Sequence, residues 1–80
     1  MELTPAEQLS RAELYLATSK EAGRKEPRKR LLEDLRKDSR LTDPTLKEAV
    51  RALGSLPDHV DALDWFSQWL KEARAKLNHS

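Results

Sequence analysis

The sequence of this chain predicts an all-α fold: a compact small bundle of four helices at about 5–22, 27–39, 44–53 and 58–77. Three observations carry that expectation. Leucines and alanines recur at spacings of three and four, the period of a helix with one buried face. Prolines and glycines fall between those periodic stretches, where they start and stop helices. No stretch alternates apolar and polar residues over a useful length, and isoleucine is absent, so nothing calls for a sheet.

The first helix opens at Thr4-Pro5-Ala6-Glu7. A capping hydroxyl, proline at the first helical position and glutamate three residues after the cap satisfy two orphan amide donors together. Gly23 supplies the left-handed backbone that would end this helix after Ala22. Glu26-Pro27 restarts the chain, because proline fixes its own φ and pushes the preceding residue out of helical geometry. The second helix then runs to about Asp38 or Ser39. Asp43-Pro44 repeats the start signal, and Gly54 is the expected stop of the third helix after Leu53. Leu56-Pro57-Asp58 opens the fourth, which is expected to be the longest and the centre of the core. Asp58 and Asp61 face the positive end of its dipole, while Lys71, Arg74 and Lys76 lie towards its negative end.

The core follows from the apolar stripes. On the fourth helix Leu63, Phe66, Leu70, Ala73 and Leu77 share one face. Ala62 and Trp69 widen it and Trp65 lies at its edge, giving an arc about 160° wide. The third helix offers Leu46, Ala49, Val50 and Leu53, with Leu56 following, and the second offers Leu31, Leu32 and Leu35. The first offers Leu9, Ala12 and Leu16 with Tyr15 at the flank, and Leu14 points elsewhere. Each large apolar side chain contributes about 1.5–3 kcal/mol when buried, so these stripes offset chain entropy only if packed together.

Eighty residues fit one domain, 1–80, with 1–3 and 78–80 expected to fray. Hydrophobic residues are 38% and charged residues 36%, and the periodic leucines separate this chain from a disordered one of similar charge. Cysteine is absent, which excludes a disulfide framework or a thiolate metal site and fits a cytoplasmic setting. The N-terminus lacks the basic and apolar regions of a secretory signal. No apolar run approaches the roughly 18–20 residues a bilayer demands, so no membrane is expected. Net charge is +1, but its distribution is uneven: residues 20–40 hold nine bases and five acids.

Two sets of residues stand out as candidate binding groups. Trp65 and Trp69 either close the core edge or anchor a partner, since tryptophan is enriched at binding hot spots. The other stripe residues are needed to fold the chain, which leaves Trp65 the better candidate anchor. The second set is a basic ridge of Arg24, Lys25, Lys29, Arg30, Arg36, Lys37 and Arg40, with Arg28 beside it. Such a ridge could neutralise phosphates. Yet Glu33, Asp34 and Asp38 are interleaved, and Lys29–Glu33, Glu33–Lys37 and Arg30–Asp34 have the spacing of intrahelical ion pairs, as on a solvated face; attraction to an acidic protein surface is the third reading.

Other chemistries find little support. Helices two and three are close enough in sequence for a helix–turn–helix, but the turn lacks glycine, and helix three offers only Thr45, Lys47 and Arg51 beside Glu48 for base reading. Asp58, His59, Asp61 and Asp64 lie together, but carboxylates in a first turn are ordinary dipole partners, and no metal is expected. There is no cysteine nucleophile and no glycine-rich phosphate loop, so neither catalysis nor a cofactor is expected. The expected function is a small protein–protein interaction module, an adaptor, inhibitor or regulatory subunit, whose partner is another protein or a second copy. The alternative is a nucleic-acid-binding accessory protein that uses the basic second helix.

Overall fold

The computed structural model describes residues 2–21 and 25–79. Four helices form: α1 (Pro5–Ser19), α2 (Pro27–Lys37), α3 (Pro44–Ser55) and α4 (Ala62–His79), with no strand among the described residues. The all-α bundle is as the periodicity predicts, and α4 is the longest helix at 18 residues.

The helix starts are written locally. Thr4 Oγ1 accepts from the Glu7 amide at 3.2 Å while the Thr4 amide donates to Glu7 Oε1 at 2.9 Å, completing the capping box. These hydrogen bonds to Thr4, backbone first, hold the Glu7 carboxyl below the usual carboxylate range. Asp43 Oδ1 accepts from the Thr45 amide at 2.9 Å and caps α3. Glu26 caps α2 without a side-chain hydrogen bond, its backbone left-handed at φ 51°.

The stops and one start differ from expectation. α1 ends at Ser19 rather than Ala22. Thr18 and Ser19 turn their hydroxyls back onto the carbonyls of Leu14 (2.9 Å) and Leu16 (2.7 Å), and the Lys20 amide divides between Leu16 and Ala17. That tightens the last turn. The expected stop at Gly23 lies outside the described residues. α2 closes at Lys37 because Asp38 is already extended. α3 runs through Gly54 to Ser55, and its limit is instead Leu56, held extended before Pro57. α4 begins at Ala62, not at residue 58. Pro57 and Val60 close a turn through a 3.1 Å backbone hydrogen bond. Asp61 then caps the helix, its Oδ1 accepting from the Asp64 amide at 3.1 Å. The acid nearest the periodic residues wins over the acid nearest the proline.

The helices pack chiefly on two neighbours each, α1 on α2 and α4, and α3 on α2 and α4. Their shared core holds Leu9, Ala12, Leu16, Leu31, Leu35, Leu46, Ala49, Leu53, Ala62, Phe66 and Leu70. On α4 the buried line is Ala62, Phe66 and Leu70, a row of fours. Leu63 and Ala73 are only partly buried and Leu77 is 36% exposed, so the centre of the stripe is rotated towards Ala62. Leu41, in the α2–α3 connection, is also buried, although no helical period points to it. Leu14 is 61% exposed, as its position off the α1 stripe implies. Among the described residues no helix is long and apolar enough to cross a membrane.

Candidate functional site

The two tryptophans sit on successive turns of α4 and both are half-buried against the core. Trp69 stacks on Phe66, ring planes 5° apart and centroids 6.2 Å apart, an offset contact that fixes its indole. Its other side opens onto a groove of about 240 Å³ among α4, α1 and the start of α3. Leu9, Trp69, Ala73 and Leu77 form the apolar wall, and Asp43, Glu72 and Lys76 stand around it. Trp65 does not line this groove. Trp65, the better anchor on sequence grounds, thus stands apart from the groove that Trp69 lines.

The basic residues disperse into different tasks. Arg24 lies outside the described residues. Lys25 and Arg30 are exposed. Arg28 is not on the ridge at all: its Nη2 donates to the carbonyls of Leu53 (2.9 Å) and Leu56 (2.7 Å). It thereby satisfies backbone acceptors at the C-terminus of α3. Lys29 pairs with Glu26 at 3.8 Å, three residues back, rather than with the expected Glu33. Arg40 is drawn onto Asp38 at 3.3 Å. Lys37 remains exposed at the end of α2.

Arg36 meets α3 instead. Its Nη2 lies 2.8 Å from where a β-carbon on Gly54 would stand. With Lys47 and Arg51 of α3 it borders a second groove, about 370 Å³, floored by Leu35, Leu41, Leu46 and Val50. Arg51 has Glu48 at 3.8 Å. Neither Arg36 nor Lys47 has an acid within 4.0 Å among the described residues. The same arrangement weakens a helix–turn–helix reading. Thr45 lines the α4 groove whereas Lys47 and Arg51 line the α2 groove, so the polar residues of α3 do not present one reading face.

Two polar clamps hold the α2–α3 connection to α1, and sequence periodicity flags neither. Gln8, 4% exposed, donates through Nε2 to the Leu3 carbonyl (3.1 Å) and Thr42 Oγ1 (3.3 Å). Its Oε1 accepts from the Asp43 amide at 2.9 Å. At the other end of the connection Asp38, with a side chain only 5% exposed, accepts from Tyr15 Oη at 2.6 Å and from the Arg40 amide at 3.0 Å, with Arg11 Nε at 3.5 Å. Burial alone would raise this carboxyl. The hydrogen bonds from Tyr15 and Arg40 and the charge of Arg40 outweigh it and hold the group below the usual range. Gln8 and Tyr15 adjoin the α1 stripe, but so do Arg11 and Glu13, and nothing local marks partners that lie 35 and 23 positions away.

The acidic turn before α4 is structural. Asp61 caps the helix, and Asp58 is exposed with Arg28 Nη1 at 4.0 Å. Asp58, His59, Asp61 and Asp64 do not gather into a metal-ligand set among the described residues. Comparison of the chain with protein families, curated proteins and solved structures gives no match.

Proposed function

We propose that this chain is a small helical protein–protein interaction module without catalytic activity, of adaptor, inhibitor or regulatory type. The observation that supports it is the Trp69 groove: an indole fixed on one side by Phe66 and open on the other, flanked by Leu9, Ala73 and Leu77. Rigid aromatic anchors at the centre of an apolar patch with a polar rim are what protein interfaces use. A second copy of the chain is one partner this surface accommodates. A cytoplasmic setting belongs to the same reading and is motivated by the absence of cysteine.

A nucleic-acid role has less support, because Arg28, Lys29 and Arg40 of the basic stretch are committed to neighbours within the fold. The test uses light scattering and affinity capture on wild type, Trp69→Ala, Leu77→Glu and Leu14→Glu. A partner, or a dimer, retained by wild type and Leu14→Glu and lost in the two groove variants is the expected result. Capture unchanged by Trp69→Ala and Leu77→Glu removes the reading.

A further inference from the structure

The groove between α2 and α3 lies apart from the Trp69 surface and has a different chemistry. Its floor is apolar, from Leu35, Leu41, Leu46 and Val50, and Arg36, Lys47 and Arg51 stand at its rim. We propose that it docks an acidic amphipathic peptide segment of another protein, with apolar side chains on the floor and carboxylates against the three bases.

Charge complementarity identifies the occupant. Arg36 and Lys47 have no acid within 4.0 Å among the described residues, so a ligand carboxylate there displaces only water. Asp38 belongs to the wall of the groove, but its oxygens are taken by Tyr15 and Arg40 with Arg11 beside them, and it does not neutralise the rim. The bases are exposed and screened by salt, so their hold on carboxylates comes from gathering on one rim rather than from burial. Arginine adds a planar fork that matches a carboxylate in two hydrogen bonds. The floor decides between peptide and nucleic acid. Leu35, Leu41 and Leu46 are nearly buried and Val50 is half-buried, so the occupant's apolar contact centres on Val50. An amphipathic helix presents an apolar residue and acids on one face, which a phosphodiester backbone does not. The volume, about 370 Å³, lies in the range of sites that enclose a ligand's apolar groups.

The probe is a fluorescein-labelled helical peptide of leucine and glutamate, read by anisotropy and by amide shifts in the labelled protein. Controls are the same pattern in leucine and lysine, a polyglutamate of equal length, and single- and double-stranded DNA oligonucleotides. The leucine–glutamate peptide is expected to bind saturably, with shifts centred on Leu41, Lys47 and Val50. Lys47→Glu and Arg51→Glu, both at exposed positions, each weaken it by about tenfold or more. Val50→Ala weakens it without touching a charge. Trp69→Ala leaves it unchanged, which separates this site from the α4 surface. No binding at low salt, equal binding by polyglutamate or the lysine peptide, indifference to Lys47→Glu, or tighter binding of DNA to the same bases would each overturn the proposal.

Discussion

The α1–α4 seam and the α2–α3 seam are built from similar residues and finish differently. Between α1 and α4, Leu9, Ala12 and Leu16 close against Phe66 and Leu70. Arg74 then crosses the outside, donating to Glu13 at 2.8 Å and 3.2 Å and to Ser10 at 3.0 Å. On that side the charged groups of the seam find partners within the chain, while its other edge opens into the Trp69 groove. Between α2 and α3, Leu35, Leu46 and Val50 meet below the surface. Of the bases above them, Arg51 has Glu48 of its own helix at 3.8 Å, while Arg36 and Lys47 have no acid within 4.0 Å among the described residues. The α1–α4 seam is bridged on one side by its own ion pair, whereas the α2–α3 seam leaves Arg36 and Lys47 facing outward. A small domain has few apolar side chains to spend, so an incompletely covered seam is where a second molecule is most easily accommodated.

The largest expected effect breaks the α1–α4 seam. Phe66 is 0% exposed at the middle of α4. Phe66→Ala is expected to cost about 3–5 kcal/mol, the transfer term plus an unfilled cavity, and to leave the chain largely unfolded at ambient temperature. Urea denaturation followed by circular dichroism measures it. A loss near that of an exposed leucine would mean that α4 is peripheral rather than the closing element.

The middle effect lies where the two seams meet. Asp38→Ala removes the acceptor for Tyr15 and Arg40 and is expected to cost about 1–3 kcal/mol at neutral pH. Its pH dependence has a definite sign. The folded carboxyl titrates below the unfolded one, so the folded state binds fewer protons. The stabilisation is therefore complete above about pH 3.9, the unfolded value, and is lost as pH falls through the lower folded value. Urea midpoints for wild type and Asp38→Asn, measured from neutral pH down to about pH 3, should converge at the acid end. Parallel curves would show that Asp38 contributes shape and not charge.

The smallest effect sharpens the α2–α3 seam. Gly54 lies inside α3, where alanine is favoured by about 0.5–1 kcal/mol over glycine. The added β-carbon would press on the guanidinium of Arg36 at 2.8 Å, the far end of a flexible side chain, and would meet Leu32 at ordinary contact distances of 3.7 Å and 3.8 Å. Gly54→Ala is therefore expected to raise the melting temperature slightly, which calorimetry would detect. A destabilised variant would instead show Arg36 to be fixed in place against α3.

Much of the architecture was legible because it rests on short-range chemistry. Thr4-Pro5, Asp43-Pro44 and the leucine spacing act within one or two turns, and the structure places α1, α2 and α3 starts where those signals stand. Local chemistry misleads where two signals compete. Asp58 and Asp61 both offer a cap to α4, and only the three-dimensional fit of the Pro57–Val60 turn selects Asp61. Gly54 is a plausible stop, yet α3 continues because nothing beyond it demands left-handed backbone until Pro57 extends Leu56. The sites were less legible, since they depend on residues far apart in sequence. Gln8 meets Asp43 across 35 positions, and Arg36 joins Lys47 and Arg51 only once α2 and α3 are side by side. A basic stretch reads as one ridge in the sequence, whereas folding divides it between a helix cap, an aspartate clamp and a groove rim.

The Tyr15–Asp38 hydrogen bond has an optical consequence. Tyr15 is the single tyrosine of the chain, and both tryptophans are on α4. A phenol bound to a carboxylate at 2.6 Å is quenched relative to one in water. The difference in tyrosine emission between wild type and Asp38→Asn therefore reports when the α2–α3 connection lets go of α1, because energy transfer from Tyr15 to the tryptophans of α4 is common to both, while tryptophan emission reports on α4. One cuvette holds two reporters for two parts of the bundle, and no label need be added to ask whether they open together.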